Sequence, residues 1–200
     1  MNKRQLSAIN TRQKLIDAAL KIARETEFSN INVEDITREA QVAKGSFYTH
    51  FKSKEDIVRE ICREPFKHIS EEIAQSQDKS FTERLAFYFE RFMEAVEIYD
   101  IHLCRSWLAD VLNPPAVRKD WDYEKWDYDV RELKLIFDTA IQNQELQENT
   151  PVELLVHIII SELYGMMTCW CMSDGQFQPL DWTKKFCDLQ IKTIIQPYLK

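Results

Sequence analysis

A chain of 200 residues with 44% hydrophobic side chains, 3 glycines and 6 prolines is long enough to bury a substantial core, and its lack of strand-like alternation points to an all-α fold. The net charge of −7 speaks against nucleic acid if taken whole, but ten basic and six acidic residues through Lys54 give +4, while the remaining sixteen basic and twenty-seven acidic give −11. A basic head on an acidic body suits a protein that approaches phosphate with one end only. No apolar stretch opens the chain, so no signal peptide is expected.

Met1 to Asn10 is polar, carries Lys3 and Arg4, and reads as a loose arm. A helix is predicted from about Thr11 to Glu27, with Leu15, Ile16, Ala19, Ile22 and Ala23 as its core stripe and Arg12 and Lys14 outside it. Phe28 and Ile31 then plug the head. From Asn32 to Phe51 the pattern becomes two short helices separated by a tight turn. Asn32 is a good N-cap, because its side-chain oxygen can accept a backbone N–H of the first turn. Glu34 and Asp35 follow where the helix dipole favours negative charge, and Val33, Ile36 and Ala40 form a narrow apolar stripe. The second helix begins near Ala43 with Phe47 and Phe51 turned inward. That leaves Lys44, Ser46, Tyr48, Thr49 and His50 on the outer faces. A short polar face on the second of two packed helices is what a DNA major groove requires of a recognition helix.

Ser53 with Asp56 matches a capping box at the start of the next helix, and Pro65 should kink or split that helix after Glu64. From Ser80 the pattern resumes, with Phe81, Leu85, Tyr88, Phe89, Phe92, Val96 and Tyr99 on one face. A helix over Ile101 to Leu112 is stopped by Asn113-Pro114-Pro115. A long helix is expected from Pro115 to about Gln147, broken near Asp120. Thr150 as N-cap, Pro151 at the first position and Glu153 closing the box start another. The last spans about Leu180 to Leu199. The expectation is about nine helices, three in a helix-turn-helix head over residues 1–53 and six in a body over residues 54–200.

The residues Val33-x-x-Ile36, Ala40-x-Val42, Lys44-Gly45, Phe47-Tyr48-x-His50-Phe51 and Ser53-Lys54-Glu55-x-Ile57 closely resemble the helix-turn-helix of the tetracycline-repressor (TetR) family. The match covers roughly the first quarter of the chain, and the rest agrees mainly in helix count. The resemblance implies a dimeric repressor that reads a palindromic operator in double-stranded DNA and is released by a small molecule bound in the body, the signal passing through the helix that joins head to body. Lys44, Ser46, Thr49 and His50 then face bases from a helix opened by Ala43, while Arg12, Asn32, Tyr48, Lys52 and Lys54 hold phosphates. Two departures stand out. The family's usual glycines are replaced by Glu27 and by Gln41, which must adopt a left-handed backbone at a cost of about 1–2 kcal/mol. They keep open an alternative reading, a helical interaction module that has lost DNA binding.

Dense aromatics mark the body. Phe66, Tyr88, Phe92, His102, Trp107, Trp126, Phe137 and Met166 are the expected effector contacts, and the duplicated WDYE/WDYD over residues 121–129 interleaves rings with Asp122, Glu124, Asp127 and Asp129. Rings beside carboxylates suit an aromatic or a cationic apolar ligand. The window from Val152 to Met172 is apolar nearly all round but interrupted by Glu153, His157, Ser161 and Glu162, so it reads as a helix buried in protein and not as a membrane span. Covering both of its sides calls for a second copy. Leu155, Ile159, Leu163 and Trp170, with Phe186, Leu189 and Thr193 from the last helix, are the expected dimer contacts.

Five cysteines without framework spacing read as reduced thiols of a cytoplasmic protein, with a redox or metal sensor as the competing reading. Cys169-x-Cys171 on a helix points about 200° apart, which rules out a local clip. Metal-ligand spacing, a phosphate loop and a nucleophile elbow are all missing, so neither a metal, a cofactor nor an enzyme is expected.

Overall fold

The structure, a computed structural model, describes residues 2–26, 28–66, 68–76, 78–112 and 123–200. The expected helix stop at Asn113-Pro114-Pro115, the break near Asp120, Trp121, Asp122 and the Glu27 departure lie outside the described residues, as do the side chains of Tyr123 and Glu124. The chain folds into two compact units, one of Met1–Pro65 with Tyr99–Asn113, the other of Phe66–Ile98 with Pro114–Lys200.

In the first unit, α1 spans Lys3–Ala23. The expected loose arm is instead its first two turns. Asn2 caps the helix by accepting from the Gln5 backbone, and the Gln5 side chain reaches back to the Asn2 N–H, a reciprocal capping box. Leu15, Ala18, Ala19 and Ala23 bury its core face. A 3-10 turn over Phe28–Asn30 follows, and Phe28 and Ile31 plug the head as expected. Helices α2 (Val33–Glu39) and α3 (Lys44–His50) form the paired short helices.

Helix α4 (Lys54–Arg63) adds Ile57, Val58 and Ile61 to the same core. The head's packing therefore continues past residue 53, where a boundary was expected. The Asp56 carboxylate accepts from the backbone of Lys52 and Ser53, the returning half of the anticipated box. Pro65 ends α4 as expected, through a 3-10 turn over Glu64–Phe66.

The second unit comprises α5 (Ile69–Gln75), α6 (Phe81–Glu97), α8 (Tyr123–Gln142), α9 (Val152–Met172), α10 (Pro179–Phe186) and α11 (Lys192–Ile195). Between them in sequence, α7 (Ile101–Leu112) belongs to the first unit, where Leu103 and Trp107 pack on the head core. A Ser80–Glu83 capping box starts α6, which buries Phe81, Leu85, Tyr88, Phe89, Phe92 and Val96 on one face. Arg84, 2% exposed, holds both carboxylate oxygens of Glu145 at 2.9 and 3.0 Å.

Thr150 does not cap α9 as anticipated. Its hydroxyl donates to the Gln147 carbonyl at 2.6 Å, closing its own turn, and Pro151 occupies the cap position. The last helix is also not continuous, since a π turn over Cys187–Ile191 joins α10 to α11 and a 3-10 turn over Gln196–Tyr198 ends it. Among the described residues there is no strand, only an isolated bridge between Leu146 and Leu199.

Candidate functional site

The head's two short helices are locked from their inner faces. Ile36 and Phe47 are fully buried, and Phe51 rests 5.7 Å from Phe47, ring centre to ring centre. Asn32 accepts from the Asp35 N–H and Asp35 returns the bond, so the Asn32 side chain is already engaged as a cap. Between the helices Gln41 takes φ = 54°, the left-handed conformation expected of it, and the Val42 N–H returns to the Thr37 carbonyl at 3.0 Å. A non-glycine residue therefore closes the turn with the usual geometry.

The outer face of α3 is open. Ala43, Lys44, Gly45, Tyr48 and Thr49 are exposed, with Ser46 and His50 half-buried. Tyr48 is 54% exposed and leans edge-on against Phe47. Thr49 donates to the Gly45 carbonyl, one helical turn back. Lys44 pairs with Glu34 of α2. The bond raises the lysine's pKa and lowers that of the carboxylate, and both groups stay in solvent. A β-carbon added at Gly45 would meet no atom within 4 Å. The bare backbone there is not a demand of the head's packing.

The expected phosphate set divides. Lys52 is exposed. Arg12 is half-exposed, bonded to Glu60 at 3.1 Å and stacked 5.0 Å over Phe51. Lys54 departs from expectation, because its ammonium donates to the carbonyls of Phe28, Ser29 and Ile31 at 3.1, 2.9 and 2.6 Å. Its three N–H bonds tie the 3-10 turn to α4, and a phosphate would have to displace one of these carbonyls.

In the second unit the expected effector contacts also divide. Phe92 lies 4.8 Å from Phe66, 6.5 Å from Tyr88 and 5.9 Å from Tyr164, ring centre to ring centre. Tyr164 was missed, hidden in an otherwise apolar run of α9. Its hydroxyl donates to Asp129 of α8 at 2.7 Å, and Asp129 is only 2% exposed. Burial first, then the Asp129 charge, pushes the phenols of Tyr88 and Tyr164 upward, so both stay neutral.

Phe137 instead packs on Phe81, and Met166 accepts a bond from Thr183. Trp126 is 42% exposed beside His157. His102 and Trp107 lie on α7, which belongs to the first unit, and Trp107 packs against the head core.

The expected dimer contacts need a similar correction. Leu155, Ile159 and Leu163 are 3%, 2% and 1% exposed, because that face of α9 packs on α6 and α8 of its own chain. The opposite stripe is open, with Leu154, Ser161, Gly165 and Met172 exposed and Ile158 half-buried. Trp170 and Phe186 are half-buried, whereas Leu189 and Thr193 face solvent. By length and composition α9 is apolar enough to cross a membrane, but seven of its residues are buried within the protein.

Among the cysteines, Cys169 is exposed and Cys171 buried, as their spacing required. Cys187 is buried and its thiol is pushed up to about 12, mainly by burial, so it stays protonated at neutral pH.

Residues 15–61 match the family model described as bacterial regulatory proteins, tetR family. The chain is 28% identical to the HTH-type transcriptional repressor DhaR of Mycobacterium sp. (strain GP1), covering 77% of this chain and 79% of that protein. It is 23% identical to the fatty acid metabolism regulator protein of Bacillus subtilis (strain 168), covering 90% and 94%. The fold is similar to that of the transcriptional regulator FadR from Bacillus subtilis in complex with stearoyl-CoA. The TM-score is 0.67 at 22% identity, over 90% of this chain and 97% of that one. These relatives are regulators and not enzymes.

Proposed function

We propose that the chain is a cytoplasmic, ligand-responsive repressor of the tetR family, whose family model residues 15–61 match, and that it binds a palindromic operator as a homodimer. The observation that carries this reading is the open outer face of α3, polar and bare at Gly45, on a helix whose inner face is fully packed. Such a helix can enter a major groove without unfolding anything. Residues 1–53 supply the reading surface, and residues 54–200 supply the effector site and the dimer contact.

Lys44, Ser46, Thr49 and His50 face the bases, with Ala43 and Gly45 allowing close approach. Tyr48, Lys52 and Arg12 face phosphate. Lys44 and Arg12 each exchange a carboxylate for DNA, Glu34 and Glu60 respectively. Asn32 and Lys54 hold the surface in shape from behind.

The homodimer reading rests on the exposed stripe of α9. Leu154, Ile158, Ser161, Gly165 and Met172 line one side of the helix, and Leu189 and Trp182 add exposed apolar surface. Nothing lies within 4 Å of a β-carbon added at Gly165, which lets a second helix approach closely. Two copies related by a twofold axis then present recognition helices to successive major grooves, about 34–36 Å apart.

Repression is supported by the name of the Mycobacterium relative, and an apolar or aromatic effector by the stearoyl-CoA complex of the Bacillus protein. The effector must bind two arrangements of the dimer with different affinity in order to release DNA. The base-facing and phosphate-facing roles separate by mutation. Thr49→Ala and His50→Ala should change which operator bases are preferred, whereas Tyr48→Ala should weaken specific and non-specific DNA alike. Equal loss on both kinds of DNA for all three variants overturns these roles.

A further inference from the structure

Resting on the reading of α3 as a recognition helix, we propose that Glu34 of α2 determines operator sequence jointly with Lys44. The two read one G·C base pair in each half-site, guanine through the ammonium and cytosine through the carboxylate. Their bond bridges the two short helices on the outer side. Lys44 opens α3, Glu34 lies in the first turn of α2 ten residues earlier, and both side chains are 54% exposed. The first residues of a recognition helix are those that reach base edges, so Lys44 brings Glu34 to the groove with it.

The other carboxylates of α2 are committed elsewhere. Asp35 accepts from the Asn32 N–H as a cap and pairs with Arg38 of its own helix, and Glu39 holds Lys21 of α1. Glu34 is the one bonded to a base-facing cation. Their mutual bond raises the pKa of Lys44 and lowers that of Glu34, so both are charged at neutral pH.

A carboxylate on a surface that meets phosphate is repelled, and the repulsion is uncompensated once Lys44 turns to DNA. It is relieved where the groove offers a hydrogen-bond donor, and the donors there are the amino groups of cytosine and adenine. A G·C pair sets the guanine acceptors O6 and N7 beside the cytosine N4 amino group, in the order of an ammonium beside a carboxylate. An A·T pair splits its two acceptors around the adenine donor and adds the thymine methyl, against which a charged group loses water. The order of charge in the pair therefore fits G·C. At every site without that donor Glu34 opposes binding, which widens the gap between operator and other DNA.

The test lets the full-length native chain and Glu34→Ala each select from a pool of duplexes randomised over a central window. The native chain should select G·C at one symmetric pair of positions. Glu34→Ala should lose about fivefold or more of that preference. It should also bind the unselected pool about twofold more tightly, having shed a charge that phosphate repels. Because preference is read from the molecules that bind, a loss of stability does not imitate it. In a second step pyrimidin-2-one, which lacks the 4-amino group, replaces the selected cytosine. This should cost the native chain about fivefold or more beyond what it costs Glu34→Ala.

A Glu34→Ala protein that keeps the native preference at every position overturns the proposal and leaves the recognition helix in place. So does an equal cost of the pyrimidin-2-one substitution in native chain and variant. If the native chain selects no sequence at all, the operator reading falls and the proposal with it.

Discussion

Gly45 sits near the start of a seven-residue helix, at a place where an alanine side chain would touch nothing. Glycine in a helix costs about 0.5–1 kcal/mol relative to alanine. Gly45→Ala should therefore stabilise the free head by about 0.4–1 kcal/mol, read by urea denaturation, while weakening operator binding. Stabilisation with unchanged DNA affinity would mean that nothing approaches Gly45.

Lys54 presents the opposite case. With its ammonium on three carbonyls, Lys54→Ala should destabilise the head by about 1–3 kcal/mol. If Lys54 contacts phosphate instead, the variant keeps its stability, and the salt slope of DNA binding drops by about one. These partners were not legible in the sequence, since Lys54 reaches backbone groups 23 to 26 residues earlier. Phe47 and Phe51 were legible, because a four-residue spacing puts both on one helix face.

At the scale of elements, Gln41 is the residue on which the helix-turn-helix depends. Its φ of 54° costs about 1–2 kcal/mol for a residue with a side chain, partly offset in glycine by the larger entropy of the unfolded chain. Gln41→Gly should thus be neutral or stabilising by about 0.5–1 kcal/mol, whereas Gln41→Val should destabilise by at least as much. Thermal denaturation of the two variants checks the ordering, and a Gln41→Val protein as stable as the native one would contradict the left-handed turn.

Local signals announced most of the element boundaries. Pro65 ended α4, and Ser80 with Glu83 opened α6. The early start of α1 was overlooked because its box is built from Asn2 and Gln5, a less familiar pair than serine with glutamate. The π turn over Cys187–Ile191 left no mark in the apolar spacing. Helix α9 was harder for a different reason. A helix apolar on every side gives no indication of which side faces its own protein, so Leu155, Ile159 and Leu163 were assigned to the wrong face.

At the scale of the molecule, that correction makes the dimer testable. Leu154→Glu combined with Leu189→Glu places charge on the two exposed positions and should yield monomers by analytical ultracentrifugation, with the fold intact by circular dichroism. Leu155→Ala, on the buried face, should cost about 2–5 kcal/mol of stability and leave the dimer in place. Reversed outcomes would restore the original assignment.

The separation of charge belongs to the same scale. A head of +4 on a remainder of −11 lets an acidic protein meet DNA with one end only. The measurement that bears most directly on the whole account is a salt-dependent binding titration of the native chain on its own upstream DNA, with the stoichiometry determined alongside. The account predicts saturable binding of two chains per operator, with log affinity falling linearly as log salt rises. No retained complex at low salt, or saturation by a single chain, would contradict it.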